Sequence, residues 1–399
     1  MKIKNLHIKE FKGLRDISIN FEKNDKPLDL VVLVGSNGSG KTRVLESILD
    51  YFQKIVNHIE NENVAGVFFE TDEQNCLNKG YNSNMLYLIL NNYNDENIVE
   101  RGRKVVEENL KVFPKIIYVP TETNFQKVEI ASPMLVREYK FLNIVDTGLI
   151  KDVPSYIATR IIEMANDQED TPMQEIRTAV FKEINEIFEI LDLDIKISGI
   201  SKNAKSIPIF TNSSGDKFDI NELSSGEKQL FLRTLAIKML NPENSIILID
   251  EPELSLHPKW QQRIVDVYRK IGKNNQIIIA THSPHILGSV KKDNIMLLDK
   301  DDDGKIVVRT GDELYDSYGQ PTERILEDIM GLKTTRNQEI FDKLEKIREM
   351  VNEDKYETDD FKKEYGDLKE ILGTMDEDIM LIDMEIQIRR KGLKNVKNK

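Results

Sequence analysis

The stretch 29-DLVVLVGSNGSGKTRVLESIL-49 joins a short apolar run, a loop of small residues and a segment with apolar positions at helical spacing. Leu30 to Val34 read as a strand buried on both faces, and Val44, Leu45, Ile48, Leu49 and Phe52 form the apolar stripe of a helix from Arg43 to Ile59. Between them Gly35, Ser36, Asn37, Gly38, Ser39, Gly40, Lys41 and Thr42 satisfy GxxxxGK[ST] in full. Small residues let backbone N–H groups curl around a phosphate, Lys41 can reach the terminal phosphates, and the Thr42 hydroxyl can ligate Mg²⁺. Strand, loop and helix in this order are the context such a loop needs, so the chain is expected to bind a nucleotide.

Further apolar strands are expected at 85-MLYLIL-90, 115-KIIYVP-120, 245-SIILID-250 and 276-QIIIAT-281, and 2-KIKNLHIKEFKGLRDISINF-21 reads as two alternating strands around Gly13. Buried strands separated by helices indicate an α/β fold with a mostly parallel sheet flanked by helices. Asp250 and Glu251 end one such strand; the first can orient Mg²⁺ and its waters, the second can act as general base for an attacking water. Thr281 and His282 end another. Parallel strands present their ends on one side, where α/β folds bind ligands, which makes His282 a sensor for the γ-phosphate.

A second anion seat is expected in 221-NELSSGEKQLFLRTLAIKML-240, where Ser224-Ser225-Gly226-Glu227 opens a helix read as amphipathic on Phe231, Leu232, Leu235, Ala236, Met239 and Leu240. The pattern divides the chain into residues 1–130 with the P-loop, a short, mainly helical insertion at 131–220 that projects from the sheet, the rest of the head at 221–300, and a C-terminal helical region at 301–399. In that last region helices are expected at 321–332, 338–352, 359–372 and 376–391.

A net charge of −13 argues against a uniformly basic nucleic-acid-binding body, while 389-RRKGLKNVKNK-399 holds six Lys or Arg and no acid, the composition of a solvated tail. With 39% hydrophobic and 31% charged residues the composition is that of a globular protein, and no run approaches a membrane span. The start lacks an apolar signal core, so a cytoplasmic location without membrane contact is expected. One cysteine, Cys76, excludes an internal disulfide and a multi-cysteine metal site.

The P-loop, 223-LSSGE-227, 247-ILIDEPE-253 and 280-ATHSP-284, in this order, resemble the ABC-type ATPase heads of the RecF, SMC and OLD group. The resemblance implies ATP and Mg²⁺ as ligands, ATP hydrolysis, and a homodimer in which Leu223, Ser224, Ser225, Gly226 and Glu227, the signature turn, close on the γ-phosphate held by the other subunit. It also implies a D-loop at Ser255-Leu256-His257, with a helix cap by Ser255 an equally simple alternative, and basic residues Lys12 and Arg15 near the phosphates or adenine. Gln126 is the implied Q-loop glutamine at the metal. Within the group, the compact head and the tail beginning 321-PTERILEDIMGL-332 are similar to the PtuA family, ATPase subunits of Septu-type and retron-associated anti-phage systems. That family works with a separate HNH nuclease, PtuB, so no nuclease activity is expected from this chain alone; a higher oligomer and direct DNA contact stay open. A DNA-clamping repair ATPase and a transporter ATPase are the alternatives, the first disfavoured by the acidic charge and the second by 10-EFKGLRDISINF-21.

Overall fold

The computed structural model describes residues 1–56, 64–70, 114–121, 141–201, 207–301 and 303–397, with backbone alone for 55–56, 64–70 and 392–397. Cys76, Gln126 and the expected strand at 85–90 lie outside the described residues. In chain order the strands are β1 (Lys2–Phe11), β2 (Leu14–Asn20), β3 (Glu22–Lys23), β4 (Lys26–Pro27), β5 (Leu30–Val34), β6 (Val64–Glu70), β7 (Ile116–Val119), β8 (Leu142–Ile144), β9 (Ile195–Ile200), β10 (Pro208–Asn212), β11 (Lys217–Asp219), β12 (Ile246–Asp250), β13 (Gln276–Thr281), β14 (Ile295–Lys300) and β15 (Ile306–Thr310). The helices that matter below are α1 (Lys41–Val56), α2 (Thr147–Asp167), α3 (Met173–Phe188), α4 (Ser225–Met239), α5 (Pro258–Gln261) and α6 (Ile264–Arg269), followed by α7 (Pro284–Leu287), α8 (Thr322–Asp328), α9 (Gln338–Asn352), α10 (Asp359–Leu372) and α11 (Glu377–Lys397).

Two compact units divide the chain, Met1–Ile325 and Leu326–Lys399. At the centre of the first is a seven-stranded sheet in the order β15-β14-β5-β13-β12-β7-β8. Every pair is parallel except β14 with β15. The strands β5, β7, β12 and β13 are buried at every position, which is why they read as continuous apolar runs and not as alternation. Burying each Val, Leu or Ile side chain contributes about 1.5–3 kcal/mol, so five in a row make β5 an anchor for the loop that follows it.

Register does the positioning. Val34 pairs with Thr281, Asp250 with Ala280, and Ile249 with Val119, so the ends of β5, β13, β12 and β7 arrive at one edge of the sheet. A second, antiparallel sheet, β2-β1-β6, shares a core with α1 through Ile3, Leu6, Ile8, Val44, Leu45, Ile48 and Phe52. Fully buried Gln276 ties the two sheets: its amide donates to the carbonyls of Ile3 and Leu28 at 2.9 Å, and its carbonyl oxygen accepts from the Ile3 N–H at 2.6 Å.

Three regions differ from the sequence reading. The insertion contains helices α2 and α3 but also an antiparallel sheet, β11-β10-β9, whose apolar residues lack the length or strict alternation that reveals a strand. Instead of projecting, it packs on α4: Phe231 meets Phe188 and Phe210 at ring-centroid distances of 5.8 and 4.9 Å, and Lys238 pairs with Glu183 at 2.7 Å. Consequently α4 is not amphipathic. Gly226, Lys228 through Ile237, and Met239 are all buried, because the helix is covered by the insertion on one side and reaches the sheet edge on the other.

The third difference lies after residue 300. The segment read as wholly helical contributes β15, antiparallel to β14, and the first compact unit runs on to Ile325. The second unit has its own core, formed by Leu344, Ile347, Val351, Tyr356, Phe361, Tyr365, Leu368, Ile379, Ile382 and Ile386. One Arg336 guanidinium nitrogen donates to both Asp376 carboxylate oxygens at 2.9–3.0 Å, and the Asp383 carboxylate accepts from Lys369 and from the Tyr365 hydroxyl. No helix among the described residues is long and apolar enough to cross a membrane.

Candidate functional site

The loop after β5 is built on glycines that no other residue could replace without strain. Gly35, Gly38 and Gly40 have φ of +154°, +77° and +98°, and a Cβ on Gly35 would lie 2.2 Å from the Leu298 carbonyl oxygen and 2.6 Å from Ser39 Oγ. Lys41 opens α1 and folds back over the loop, donating from Nζ to the carbonyls of Gly35 (2.9 Å) and Ser36 (3.1 Å). Burial pulls its pKa down to about 8, against the opposing pull of Glu251, Asp250 and Glu253.

Thr42, next on α1, donates its hydroxyl to both carboxylate oxygens of Asp250, at 3.1 and 3.0 Å. Burial pushes the Asp250 carboxyl above its ordinary range, while hydrogen bonds from Thr121 and Thr42 and the charge of Lys41 act against that push. A hydroxyl and a carboxylate held face to face beside the phosphate loop form a donor set suited to a hard divalent cation next to phosphate oxygens. Ser39 Oγ is buried without a protein partner, a further polar group aimed into the loop. The residues present therefore fit a magnesium nucleotide.

Glu251 follows with φ of +45°, in the left-handed region, with its N–H donated to the Ala280 carbonyl at 2.8 Å. This turn brings Glu251 Oε1 to 3.5 Å from His282 Nε2. Burial, assisted by Lys41, lowers the His282 pKa below its ordinary value, with Glu251 pulling the other way, so the imidazole is neutral at pH 7. Lys41, Thr42, Asp250, Glu251 and His282 are thus brought together as the strand pattern requires.

Other expected residues have different neighbours. Lys12, at φ +46°, pairs with Glu46 of α1 at 2.9 Å, so it flanks the P-loop helix. Arg15 is exposed and pairs with Glu10 across the β1–β2 hairpin at 3.4 Å. At the start of α4, Ser224 and Glu227 form a capping box: Ser224 Oγ accepts from the Glu227 N–H, and the Glu227 carboxylate accepts from the Ser224 N–H at 3.0 Å and hydroxyl at 2.5 Å. One N–H expected to be open to an anion is therefore already used, leaving Ser225 and Gly226 at the first helical positions. Gly226 packs against the turn before α5, where a Cβ would lie 2.6 Å from the Ser255 carbonyl oxygen and 3.5 Å from the Trp260 ring. Leu223 is buried beneath the turn. The cap of α5 is His257, whose ring nitrogen accepts from the Lys259 N–H at 3.2 Å, and not Ser255, which adopts φ +63°.

Two functional residues escape sequence reasoning. Glu253 accepts from the Thr281 hydroxyl at 2.6 Å and from the His282 N–H at 2.8 Å, fixing the backbone that carries the histidine, and burial pushes its pKa up. Arg233, 1% exposed on α4, donates to the carbonyls of Glu251, Pro120 and Thr121. The available signal was an arginine inside an apolar run, LFLRTLAI, where a surface reading is unsound.

Residues 1–140 match the family described as "AAA ATPase domain", and residues 129–288 match "AAA domain, putative AbiEii toxin, Type IV TA system". Both matches are to ATPase-type domains, and the chain is an ATPase. This ATPase is 28% identical to the Septu protein PtuA of Bacillus thuringiensis, over 88% of this chain and 91% of that one. It is 23% identical to the Retron Vc95 probable ATPase of Vibrio cholerae serotype O1 biovar El Tor, over 75% of this chain and 74% of the relative. A Retron Ec83 probable ATPase of Escherichia coli is 29% identical over 48% of this chain and 34% of the relative. An ATPase hydrolyses ATP, and Lys41, Thr42, Asp250, Glu251 and His282 lie together at the strand ends beside the P-loop.

Proposed function

We propose that this ATPase is the nucleotide-controlled switch of an anti-phage defence complex, closing as a homodimer around two ATP molecules and governing a separate HNH nuclease. The near full-length similarity to PtuA carries the defence assignment. Support for the shared site comes from the signature turn, whose contacts among the described residues run to its own capping box, Ser255 and Trp260.

In this reading the backbone of Gly35 to Gly40 and Lys41 hold the phosphates, and Thr42 and Asp250 hold Mg²⁺. Bound Mg²⁺ supplies charge neutralisation across the β- and γ-phosphates. Glu251 accepts the proton of the attacking water, a role that requires its carboxylate to be aimed outward from the strand end. Neutral His282 can donate one ring N–H toward a phosphate oxygen while the Glu253 carboxylate holds its backbone. Ser225 and Gly226 offer their N–H groups to the phosphate on the other subunit, with Glu227 released from its capping box or turned aside to admit the charge.

Two variants test the sandwich. Lys41→Ala should lose ATP binding. Glu251→Gln should retain ATP and accumulate as a dimer in light scattering with ATP and Mg²⁺, because the base is removed and the phosphate cradle is intact. A Glu251→Gln protein that binds ATP yet stays monomeric rules the sandwich out. Failure of a neighbouring HNH gene product to co-purify removes the nuclease part of the reading.

A further inference from the structure

Arg233 lies on α4 two turns beyond the signature turn, and it is almost fully buried. One guanidinium nitrogen donates to the Glu251 carbonyl at 3.1 Å; another donates to the carbonyls of Pro120 and Thr121 at 2.9 and 3.0 Å. These acceptors follow two different strands. Glu251 is next to the end of β12, and Pro120-Thr121 follow β7, where Thr121 also bonds the Asp250 carboxylate.

Glu251 itself stands at φ +45°. A non-glycine residue in that region costs on the order of 1–3 kcal/mol and keeps the conformation only when its surroundings fix it. Here the sheet fixes one side, through the Glu251 N–H to the Ala280 carbonyl, and Arg233 fixes the other, through the Glu251 carbonyl. The direction of the Glu251 carboxylate toward His282 therefore depends on where α4 stands. A planar fork spans three carbonyls around two strand ends; an ammonium on a flexible stem cannot reproduce that pattern.

We propose that Arg233 is a positioning residue that couples the signature helix to the catalytic base, so that a phosphate from the neighbouring subunit seated on Ser225-Gly226 is felt by Glu251 of the same chain. The proposal rests on the ATP-sandwich reading. It makes each subunit's base responsive to the nucleotide bound by the other, a coupling carried by a single rigid helix and one guanidinium.

The test is Arg233→Lys in the full chain, with Arg233→Gln as a second variant should a buried ammonium prevent folding. ATP affinity is read by equilibrium titration, turnover per active site by steady-state kinetics, and coupling by the Hill coefficient for ATP. The expected result is an ATP Kd within about threefold of the parent, a kcat lower by roughly 10- to 100-fold, and a Hill coefficient reduced from above 1 to 1. A merely structural role would lower the melting temperature while leaving the Hill coefficient and the turnover of the folded fraction unchanged, and that result overturns the proposal. Glu251→Gln separates the two ideas: if it dimerises with ATP while Arg233→Lys behaves like the parent, only the Arg233 coupling falls. If Glu251→Gln does not dimerise, the sandwich falls and the coupling between subunits falls with it.

Discussion

Lys41 holds its ammonium against two backbone carbonyls in a site where burial brings its pKa down to about 8. A triphosphate placed beside it favours the charged form and raises that value. The sign is therefore fixed: near pH 6.5 the lysine is protonated before and after binding, whereas near pH 9 the free protein has largely lost the proton and regains it with ATP. Calorimetry at pH 9 in two buffers of different ionisation enthalpy should show proton uptake on ATP binding that is absent at pH 6.5; observed enthalpies that are the same in both buffers at pH 9 would refute this. At this scale the sequence was informative where residue type and spacing carry the chemistry, as at Lys41, Thr42, Asp250, Glu251 and His282. It assigned no role to Arg233 or Glu253, whose place in the site comes from burial and from backbone atoms of remote segments. No spacing within LFLRTLAI points to the carbonyls of Pro120 or Glu251.

At the scale of elements, the turn that opens α4 and the turn before α5 approach closely at Gly226, where a Cβ would lie 2.6 Å from the Ser255 carbonyl oxygen. Neither side can yield cheaply, because Gly226 is locked in α4 and Ser255 sits at φ +63°. Gly226→Ala should destabilise the folded chain by about 1–3 kcal/mol, the usual cost of overpacking, visible as a lower denaturant midpoint. An unchanged midpoint would mean that the two turns slide apart freely. The parallel strands β5, β7, β12 and β13 were legible because burial on both faces leaves almost only apolar residues, and the P-loop helix because its apolar spacing is regular; β8 and β14, also parallel to their neighbours, were not. The β9–β11 sheet and β15 were not legible, since short strands with one half-buried face resemble loops. The helical spacing in α4 was real, yet it marked only part of a helix buried nearly all round, by the insertion on one side and the sheet edge on the other.

At the scale of the molecule, the second unit is held by a core of its own, so damage there should be local. Ile382 is 3% exposed in that core, and Ile382→Ala should cost about 2–5 kcal/mol. Hydrogen exchange should accelerate in α9, α10 and α11 while Leu30–Val34 keep their protection; loss of protection in both would show that the two units unfold together. Helices α9 and α10 were readable to the residue from their Lys–Glu alternation around an apolar stripe, whereas the division at Ile325 was not, because β15 places residues past 300 in the first unit.

The place of β5 in the sheet also constrains how the molecule is made. Leu30–Val34 lie between β13 and β14, so the strand that carries the phosphate loop finds both of its neighbours only in residues 276–297. At synthesis rates of about 5–20 residues per second, its five apolar side chains leave the ribosome some ten to fifty seconds before either neighbour exists. During that interval they can pair with nothing from their own central sheet, and chaperone binding to this strand is the expected safeguard. A nascent chain stalled before residue 276 should be unable to bind ATP however long it waits.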